Sequence, residues 1–511
     1  MAEESLTNLS KQELTENSFD HVIIGGGPNG ILLAKRLIEG GRRVLLIEAG
    51  GFSKTEGLLT RENYQFSTPS KIPVGIHTIG GGSTQWLGRV GQFIPSDFVS
   101  HSNRLTSWPI ADEKLSEPFR KVFGLTTDDE KLDEEFLRDH HELMKLHESL
   151  PPWMKLRLFR FSKLGLYENI LSKLIQHENF VLYSQTTCLE VMPKTGFGYS
   201  LDLRSTNFEK TTRRISAEKV VIAGGTLQST ALMMKSRNLS IPAREKFIGN
   251  YLMEHFDGFV GSLIVRKKDS PIFNDFLLNL DRTWRSNNFG IAFSLNNQLI
   301  TEEGLPNLHF EVCKYKKKFM FERHTYVFSF SESTRKIFHL IERLLRKSVD
   351  PLQSVYDFLR KQNRYTIWMK GEEFPNFLST LSLSEDIDSK GMKKVIYNHK
   401  VSEETSIQVR REIRMLENLF DQSRLGKFRA YRHLMNESSN FYLNPNWHPM
   451  GTLRMGRNEN EGVCDENLEV FNNPGLFLLN AGVFPSGSNQ NPTSMVMALG
   501  EKLGERLLKL E

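Results

Sequence analysis

Three glycines near the N-terminus have the spacing of a nucleotide-binding turn. Gly25-x-Gly27-x-x-Gly30 follows a short apolar run, and Glu48 ends the next apolar run. In a strand–turn–helix unit the first glycine permits the tight turn, the second lets the backbone approach a pyrophosphate, and the third lets the helix pack on the strand. The pattern therefore predicts a dinucleotide site. FAD and NAD both remain open, whereas NADP is disfavoured because Glu48 would accept hydrogen bonds from ribose hydroxyls and repel a 2′-phosphate.

The chain around this turn has the composition of an ordinary globular protein. Its 511 residues are 39% hydrophobic and 25% charged, which excludes a wholly disordered or collagen-like chain. At roughly 100–200 residues per domain, the length predicts two to four domain-sized units or two large ones. The net charge of +5, from 66 Lys and Arg against 61 Asp and Glu, is too small to indicate nucleic-acid binding by itself.

Cysteine usage and the N-terminal residues favour a reducing compartment. Cys188, Cys313 and Cys464 lie far apart and are odd in number, so they form neither a disulfide framework nor a CxxC metal site. Residues 1–18 are polar and acidic, without the apolar stretch of a signal peptide, and no apolar run is long enough to span a membrane. We therefore expect a cytoplasmic protein with a short flexible N-terminus, no membrane span and no bound metal.

Several segments far apart in the chain share motifs with one family. They are GGGSTQWLGRVGQF (80–93), Trp-Pro-Ile (108–110), NWHPMGTLRMG (446–456) and the segment 467–508. Together with the N-terminal fingerprint they resemble the glucose–methanol–choline (GMC) family of FAD-dependent alcohol oxidoreductases, most closely its sugar-oxidising and secondary-alcohol branches. Residues 217–236 are similar to the strand–glycine–helix segment that returns to the FAD sheet. Residues 248–255 are similar to the element that leads into the substrate domain.

The resemblance implies an α/β fold. It consists of a doubly wound, Rossmann-like FAD-binding domain with an inserted α+β substrate domain built on an antiparallel sheet. After a flexible N-terminus at 1–18, this fold divides the chain into FAD-binding segments at 19–100, 179–262 and 445–511, and into substrate-binding segments with linking helices at 101–178 and 263–444.

The resemblance also implies a cofactor, FAD, and the residues around it. These are Gly25, Gly27, Asn29, Gly30, Glu48, Gly82, Ser83, Trp86, Cys188, Asn480, Ala481, Pro492 and Thr493. Members of this branch with a covalently attached flavin have His where this chain has Gln85, and glutamine cannot form that bond, so we expect non-covalent FAD. Asn480 stands where the family commonly has Asp, which removes any role that needs a carboxylate there.

Two catalytic residues follow from the same resemblance. His448 matches the family's general base, and a histidine suits this role because its unperturbed pKa of about 6.5 lies near working pH. Asn491 matches the group that holds the substrate oxygen, and it can do so without titrating. Pro492 and Thr493 then open the last helix, whose positive dipole end would stabilise negative charge on the reduced flavin ring.

These residues imply oxidation of an alcohol CH–OH group to a carbonyl, with hydride transfer to the flavin. The resemblance favours a secondary hydroxyl of a sugar, cyclitol or glycoside, and a sterol or aliphatic alcohol is the first alternative. An NAD-binding dehydrogenase and a non-catalytic flavin-binding protein remain as alternatives of other classes. The partners are then a small-molecule alcohol and an electron acceptor that is oxygen, a quinone or a redox protein.

The middle of the chain has weaker signals. Residues 305–330 alternate apolar and polar side chains and predict sheet in the substrate domain. Residues 331–364 have a helical pattern with a basic excess, which is more typical of a solvated helix face than of a membrane-surface or partner-binding segment. Residues 374–404 read as two strands around a turn.

Overall fold

The structure of the protein is a computed structural model. It describes residues 19–52, 58–59, 64–66, 75–84, 88–99, 107–127, 129–161, 166–205, 212–277, 289–314, 356–387, 392–423, 425–437, 444–445 and 448–510. The strands are β1 (His21–Ile24), β2 (Val44–Ile47), β3 (Leu58–Leu59), β4 (Tyr64–Phe66), β5 (Gly75–Ile76), β6 (Arg89–Val90), β7 (Met154–Phe161), β8 (Phe180–Tyr183), β9 (Thr186–Pro193), β10 (Tyr199–Ser205), β11 (Thr212–Ala217), β12 (Lys219–Ile222), β13 (Phe256–Arg266), β14 (Phe289–Leu295), β15 (Leu308–Lys314), β16 (Gln362–Gly371), β17 (Thr380–Ile387), β18 (Lys393–Asn398), β19 (Lys427–Ala430), β20 (Asn444–Pro445) and β21 (Leu476–Leu478).

Helices lie between these strands. They are α1 (Pro28–Glu39), α2 (Pro95–Phe98), α3 (Glu113–Phe123), α4 (Asp129–Asp139), α5 (His141–Ser149), α6 (Leu166–Leu174), α7 (Gly225–Lys235), α8 (Arg244–Phe247), α9 (Asn297–Glu303), α10 (Glu403–Ser423) and α11 (Pro492–Lys509). Short 3₁₀ helices lie at Gly81–Thr84, Lys267–Asp269 and Ala481–Val483, and a π-helical turn lies at Phe273–Leu277.

Five parallel strands form the nucleotide-binding sheet, in the order β21-β12-β1-β2-β8. β1 and β2 are short apolar runs buried along their whole length, as expected for a parallel sheet that is covered on both faces. β12 pairs with β1 and is followed by α7, which confirms the strand–glycine–helix prediction for residues 217–236. The C-terminal α11 contacts α1 and α3 and completes the layer.

Gly30 sets the distance between α1 and β1. A side-chain Cβ built at this position would lie 2.1 Å from the carbonyl oxygen of Gly25, so only glycine fits. Gly25 itself has a φ of +119°, a conformation that favours glycine. Both glycines therefore have the roles that their spacing predicts.

A second sheet, antiparallel and of eight strands, has the order β19-β13-β16-β15-β14-β7-β6, with β20 beside β13. One face packs on α10 and forms a core of its own, to which Leu308 and Phe310 of β15, Ile367 of β16 and Ile413 of α10 belong. The larger core surrounds the parallel sheet. The chain thus has the α/β architecture with a sheet-based second domain that the resemblance implies.

The two cores meet near the predicted domain boundaries. Helix α3 contacts α11, and α6 contacts α1, so both pack on the nucleotide-binding half although they fall within the segment 101–178. Strand β13 runs across the boundary at residue 262 and lies in the eight-stranded sheet. The division of the chain into domains remains a prediction.

Three smaller sheets complete the fold. β9, β10 and β11 form an antiparallel meander, and β3 pairs with β5. β17 and β18 pair antiparallel, with β4 parallel to β18, which confirms the predicted pair of strands within residues 374–404.

The helical prediction for residues 331–364 is wrong at its C-terminal end. Residues 331–355 lie outside the described part of the chain, and 356–359 are helical, but β16 begins at Gln362. From Tyr365 onward, alternate side chains enter the core of the eight-stranded sheet, so the period is two and tertiary pairing decides the conformation. The predicted sheet at 305–330 is confirmed for β15, and residues 315–330 lie outside the described residues.

Gly30→Ala tests the contact between α1 and β1. The added methyl group must displace the helix from the Gly25 carbonyl, so the free energy of unfolding should fall by about 1–3 kcal/mol, the usual cost of overpacking. Gly27→Ala is the control, because a Cβ at Gly27 meets nothing within 4 Å. Urea unfolding followed by circular dichroism measures both. Equal midpoints for the two variants would contradict the packing argument.

Candidate active site

Glu48 lies at the carboxyl end of β2, as predicted, with a carboxylate that is already oriented. One oxygen accepts the N–H of Gly26 at 2.7 Å and the other accepts the N–H of Gly50 at 2.8 Å. The side chain is buried, and this burial raises its pKa to about 7 against the opposing effect of the backbone donors. The two contacts hold the carboxylate at the strand end, where the fingerprint requires an acceptor for ribose hydroxyls.

The N-terminus of α1 is open above the glycine turn. The helix begins after Gly27, no side chain caps it, and a Cβ added to Gly27 would meet no described protein atom within 4 Å. The segment 80–84 lies against this turn, since the Gly80 N–H donates to the Gly26 carbonyl oxygen at 2.8 Å. The Oδ1 atom of Asn29 is buried and has no hydrogen-bond partner among the described residues. Free N–H groups at such a position attract phosphate.

Some of the other predicted cofactor residues in the N-terminal half lie in the segment that contacts this turn. Gly82 and Ser83 lie in the short 3₁₀ helix, where the Ser83 hydroxyl donates to the Gly80 carbonyl at 2.6 Å. Cys188 lies on β9, buried, with a pKa that burial raises to about 12. Gln85 and Trp86 lie outside the described residues.

The two hydrogen bonds of Asn480 explain why an amide side chain suits this position. Its Oδ1 accepts the N–H of Gly482 at 2.9 Å, and its Nδ2 donates to the carbonyl oxygen of Ile222, at the end of β12, at 3.4 Å. The side chain therefore caps the 3₁₀ helix that begins at Ala481 and also ties it to the parallel sheet. A carboxylate could make the first of these contacts but not the second.

The backbone of His448 is held by both halves of the protein. Its N–H donates to Glu254 Oε2 at 2.7 Å, just before β13. The carbonyl oxygen of Pro449 accepts the hydroxyl of Thr226 on α7 at 2.6 Å. Met450 forms an isolated antiparallel bridge with Met253. The imidazole is thus fixed where the parallel sheet and the eight-stranded sheet meet.

The His448 side chain is partly buried beside a second histidine. The Nδ1 atoms of His448 and His255 are 3.1 Å apart. Burial lowers the pKa of His448 well below its ordinary value, and the charges of Lys370 and Arg89 lower it further. The imidazole is therefore neutral at neutral pH, the form in which a histidine accepts a proton.

Asn491 lies at the start of α11 and is bonded at both ends of its amide. Lys370 Nζ donates to Oδ1, and Nδ2 donates to the Arg89 carbonyl oxygen at 3.2 Å. Because a carbonyl oxygen only accepts, Nδ2 must face Arg89 and Oδ1 must face Lys370, which determines the orientation of the amide. Pro492 begins the helix and Thr493 follows it in the first turn, as predicted, and Asn491 does not cap the helix.

Lys370 is a functional residue that the sequence did not reveal. It lies on β16 between Asp257 of β13 and His309 of β15, which are its cross-strand neighbours. The ammonium group is buried, and this burial, together with Arg89, lowers its pKa. It donates to Asn491 and its charge acts on His448, so it connects the two predicted catalytic residues.

Arg89 and Glu311 extend this cluster away from Lys370. Arg89 forms an ion pair with Glu311, and its guanidinium lies 3.6 Å from the centroid of the Phe159 ring. His309 bonds to both, at 3.1 Å from Arg89 and 2.9 Å from Glu311. The alternation of residues on β15 was the signal that placed His309 and Glu311 on one face, but the sequence did not show which face meets the site.

The described residues contain neither a metal-binding cluster nor a membrane-spanning helix. Among the described residues, no group of three His, Cys, Asp or Glu side chains is arranged to hold a metal ion. The helices within that same part of the chain include none that is both long and apolar enough to cross a membrane.

Comparisons with known proteins agree with this geometry. Residues 375–500 match the C-terminal family model of the GMC oxidoreductases. This segment of the chain is therefore similar to the C-terminal part of the GMC oxidoreductases. The chain is similar to 2-methyl-1,2-propanediol dehydrogenase of Mycolicibacterium austroafricanum, with 28% identity over 145 residues, which are 28% of this chain and 25% of that protein. The match thus spans about a quarter of the length of this curated relative.

Solved structures share the fold over almost the whole chain. Pyridoxine 4-oxidase from Mesorbium loti aligns with a TM-score of 0.60 at 16% identity, over 96% of this chain and 99% of its own. A fungal aryl-alcohol oxidase aligns with a TM-score of 0.58 at 15% identity, over 97% of this chain and 99% of its own. At this level of identity the likeness is one of fold.

FAD is the cofactor that the likeness to the GMC oxidoreductases implies, and the residues present fit it. The uncapped start of α1 and the free space beside Gly27 suit a pyrophosphate, and the buried Asn29 oxygen needs a donor. Glu48 offers a fixed carboxylate for ribose hydroxyls. The uncapped start of α11 offers a second set of free N–H groups, where Asn491 adjoins Lys370.

Asn480→Asp tests whether the buried amide must both accept and donate a hydrogen bond. The introduced carboxylate loses the donor to the Ile222 carbonyl, so the free energy of unfolding should fall by about 1–3 kcal/mol at pH 8. Because burial raises the pKa of a carboxyl group, the loss should shrink as the pH falls and the group becomes protonated. Urea unfolding at pH 8 and pH 5 measures this, with the exposed Asn460→Asp as control. A loss that does not depend on pH would contradict the argument.

Proposed function

We propose that this protein is a GMC oxidoreductase that oxidises an alcohol CH–OH group to a carbonyl with FAD, with His448 as the base. The observation that carries the proposal is the state of His448: its imidazole is neutral, its backbone N–H and the next carbonyl oxygen are held by Glu254 and Thr226, and Lys370, which donates to Asn491, lowers its pKa. A neutral imidazole can remove a hydroxyl proton while an amide holds the oxygen.

Bound FAD would supply the hydride acceptor, and the chain supplies position and proton transfer. His448 takes the hydroxyl proton of the substrate. Asn491 keeps one Nδ2 hydrogen beyond the one donated to Arg89, and this hydrogen donates to the substrate oxygen. Gly27, Asn29 and Glu48 would hold the adenosine half of the cofactor, and the uncapped start of α11 with Pro492 and Thr493 would offer N–H groups to its ring.

The other cofactor residues extend this proposed site. Gly82 and Ser83 would lie near the bound pyrophosphate, Cys188, Asn480 and Ala481 flank the nucleotide-binding sheet, and Trp86, outside the described residues, stays a predicted cofactor residue. Gln85 cannot form the covalent bond of its histidine counterpart, so FAD is held without covalent attachment. The buried, protonated thiol of Cys188 makes a packing contact and does not act as a nucleophile.

The substrate class that we propose is a secondary hydroxyl of a sugar, cyclitol or glycoside. This rests on the likeness of the Trp-Pro-Ile and Asn-Pro segments to the sugar-oxidising branch. The dehydrogenase of Mycolicibacterium austroafricanum is named for an aliphatic diol, and this relative favours an aliphatic alcohol as the second candidate. For the electron acceptor we propose oxygen, a quinone or a redox protein.

An absorbance spectrum tests the cofactor and its attachment. The purified protein should show a flavin band that moves into the supernatant on acid precipitation. Anaerobic titration with D-glucose, D-galactose, myo-inositol, 1-butanol and benzyl alcohol should then bleach the band with at least one of them. Colour that stays with the pellet would refute non-covalent binding, and a protein that remains colourless after incubation with FAD would refute the proposed function.

His448→Ala tests the base. The variant should bind FAD as before but reduce it roughly 10²–10⁴-fold more slowly, which is the usual contribution of a positioned base. Anaerobic stopped-flow mixing with the best alcohol of this panel measures the rate. The exposed His141→Ala on α5 is the matched control and should leave the rate unchanged. An unaltered rate in His448→Ala would remove this residue from the mechanism.

A further inference from the structure

His255 lies opposite His448 through backbone pairing. Met253 and Met450 exchange both N–H···O bonds, at 3.0 and 2.9 Å, as an antiparallel bridge. In an antiparallel pair the sum of the two residue numbers is constant and side chains two positions apart share a face, so His255 and His448, two positions beyond the bridge, lie on the same side of it. Their rings meet edge to face, with centroids 5.0 Å apart and an angle of 79° between the planes.

The contact between the rings requires a single proton between the two Nδ1 atoms. The two Nδ1 atoms are 3.1 Å apart, which is a hydrogen-bond distance. Two lone pairs at this distance would repel each other, and so would two N–H groups. One ring must therefore donate through Nδ1 and the other must accept through Nδ1, which links the tautomers of the two histidines.

The surroundings keep His255 neutral and thus able to accept. Its side chain is fully buried. Burial lowers its pKa well below the ordinary value, and the charge of Lys370 lowers it further, while a backbone hydrogen bond with Ser488 acts in the opposite direction.

We propose that His255 is a positioning residue that accepts the Nδ1–H of His448 and thereby leaves Nε2 of His448 as the basic nitrogen. The proposal rests on the role of His448 as base, because only a base needs its lone pair on the nitrogen that faces the substrate. When Nε2 takes the hydroxyl proton, the Nδ1–H stays bonded to His255, and the ring keeps its orientation. No proton leaves His255 in this step.

Two variants of His255 separate this role from simple packing. His255→Leu fills the site without an acceptor, and the rate of flavin reduction should fall on the order of 10²-fold, within the range of a mispositioned base. His255→Asn places a carbonyl oxygen near the position of Nδ1, and it should recover most of the rate. FAD content and thermal midpoint are measured for each variant. The apparent Kd for the alcohol should change less than the rate, since the tautomer affects proton transfer and not binding.

A double variant provides the decisive comparison. In the His448→Ala background, His255→Leu should have no further effect on the rate, because there is no longer a base to position. A rate that falls further in this background, or one that is unchanged in His255→Leu alone, would overturn the proposal. If His448→Ala itself does not slow the reduction, the proposed function fails instead. If His255→Leu does not fold, a rate in His255→Asn as low as that of His448→Ala would equally overturn the proposal.

Discussion

The alternation of side chains on the eight-stranded sheet is the constraint on which the site depends. On β15 and β16, Phe310 and Ile367 enter the core that the sheet forms with α10, whereas His309, Glu311 and Lys370 lie on the opposite face. A shift of one residue in the pairing would move Lys370 into an apolar core, where an unpaired ammonium group is very costly. The hydrophobic face therefore fixes the register in which β15 and β16 pair. This register places their polar side chains on the face that meets the site.

Burial and two neighbouring cations determine the protonation of His448. Burial lowers the pKa of His448 most, and the charges of Lys370 and Arg89 lower it further. Arg89 is partly neutralised by Glu311, and Lys370 bonds to Asn491, so neither cation is without a partner. Paired charges of this kind are tolerated in a protein interior, where unpaired ones are not. The same contacts orient the amide of Asn491.

Buried amides also tie separate elements of the fold together. Asn480 ties the short helix after β21 to the end of β12, and Asn491 ties the start of α11 to Arg89 of β6 and to Lys370 of β16. Each uses its oxygen as an acceptor and its nitrogen as a donor, which an aspartate could not do.

Much of the fold was determined by the sequence itself. The glycine spacing, Glu48, the strand–glycine–helix segment at 217–236 and the pair β17–β18 depend on local backbone chemistry and short apolar runs, and all are found where predicted. The sequence predicted a helix through residue 364 and missed β16, because pairing with β13 and β15 overrides local preference there. Lys370 and His255 could not be assigned either. Their partners are distant in the chain, and the contacts of a side chain across a sheet or a bridge depend on tertiary register alone.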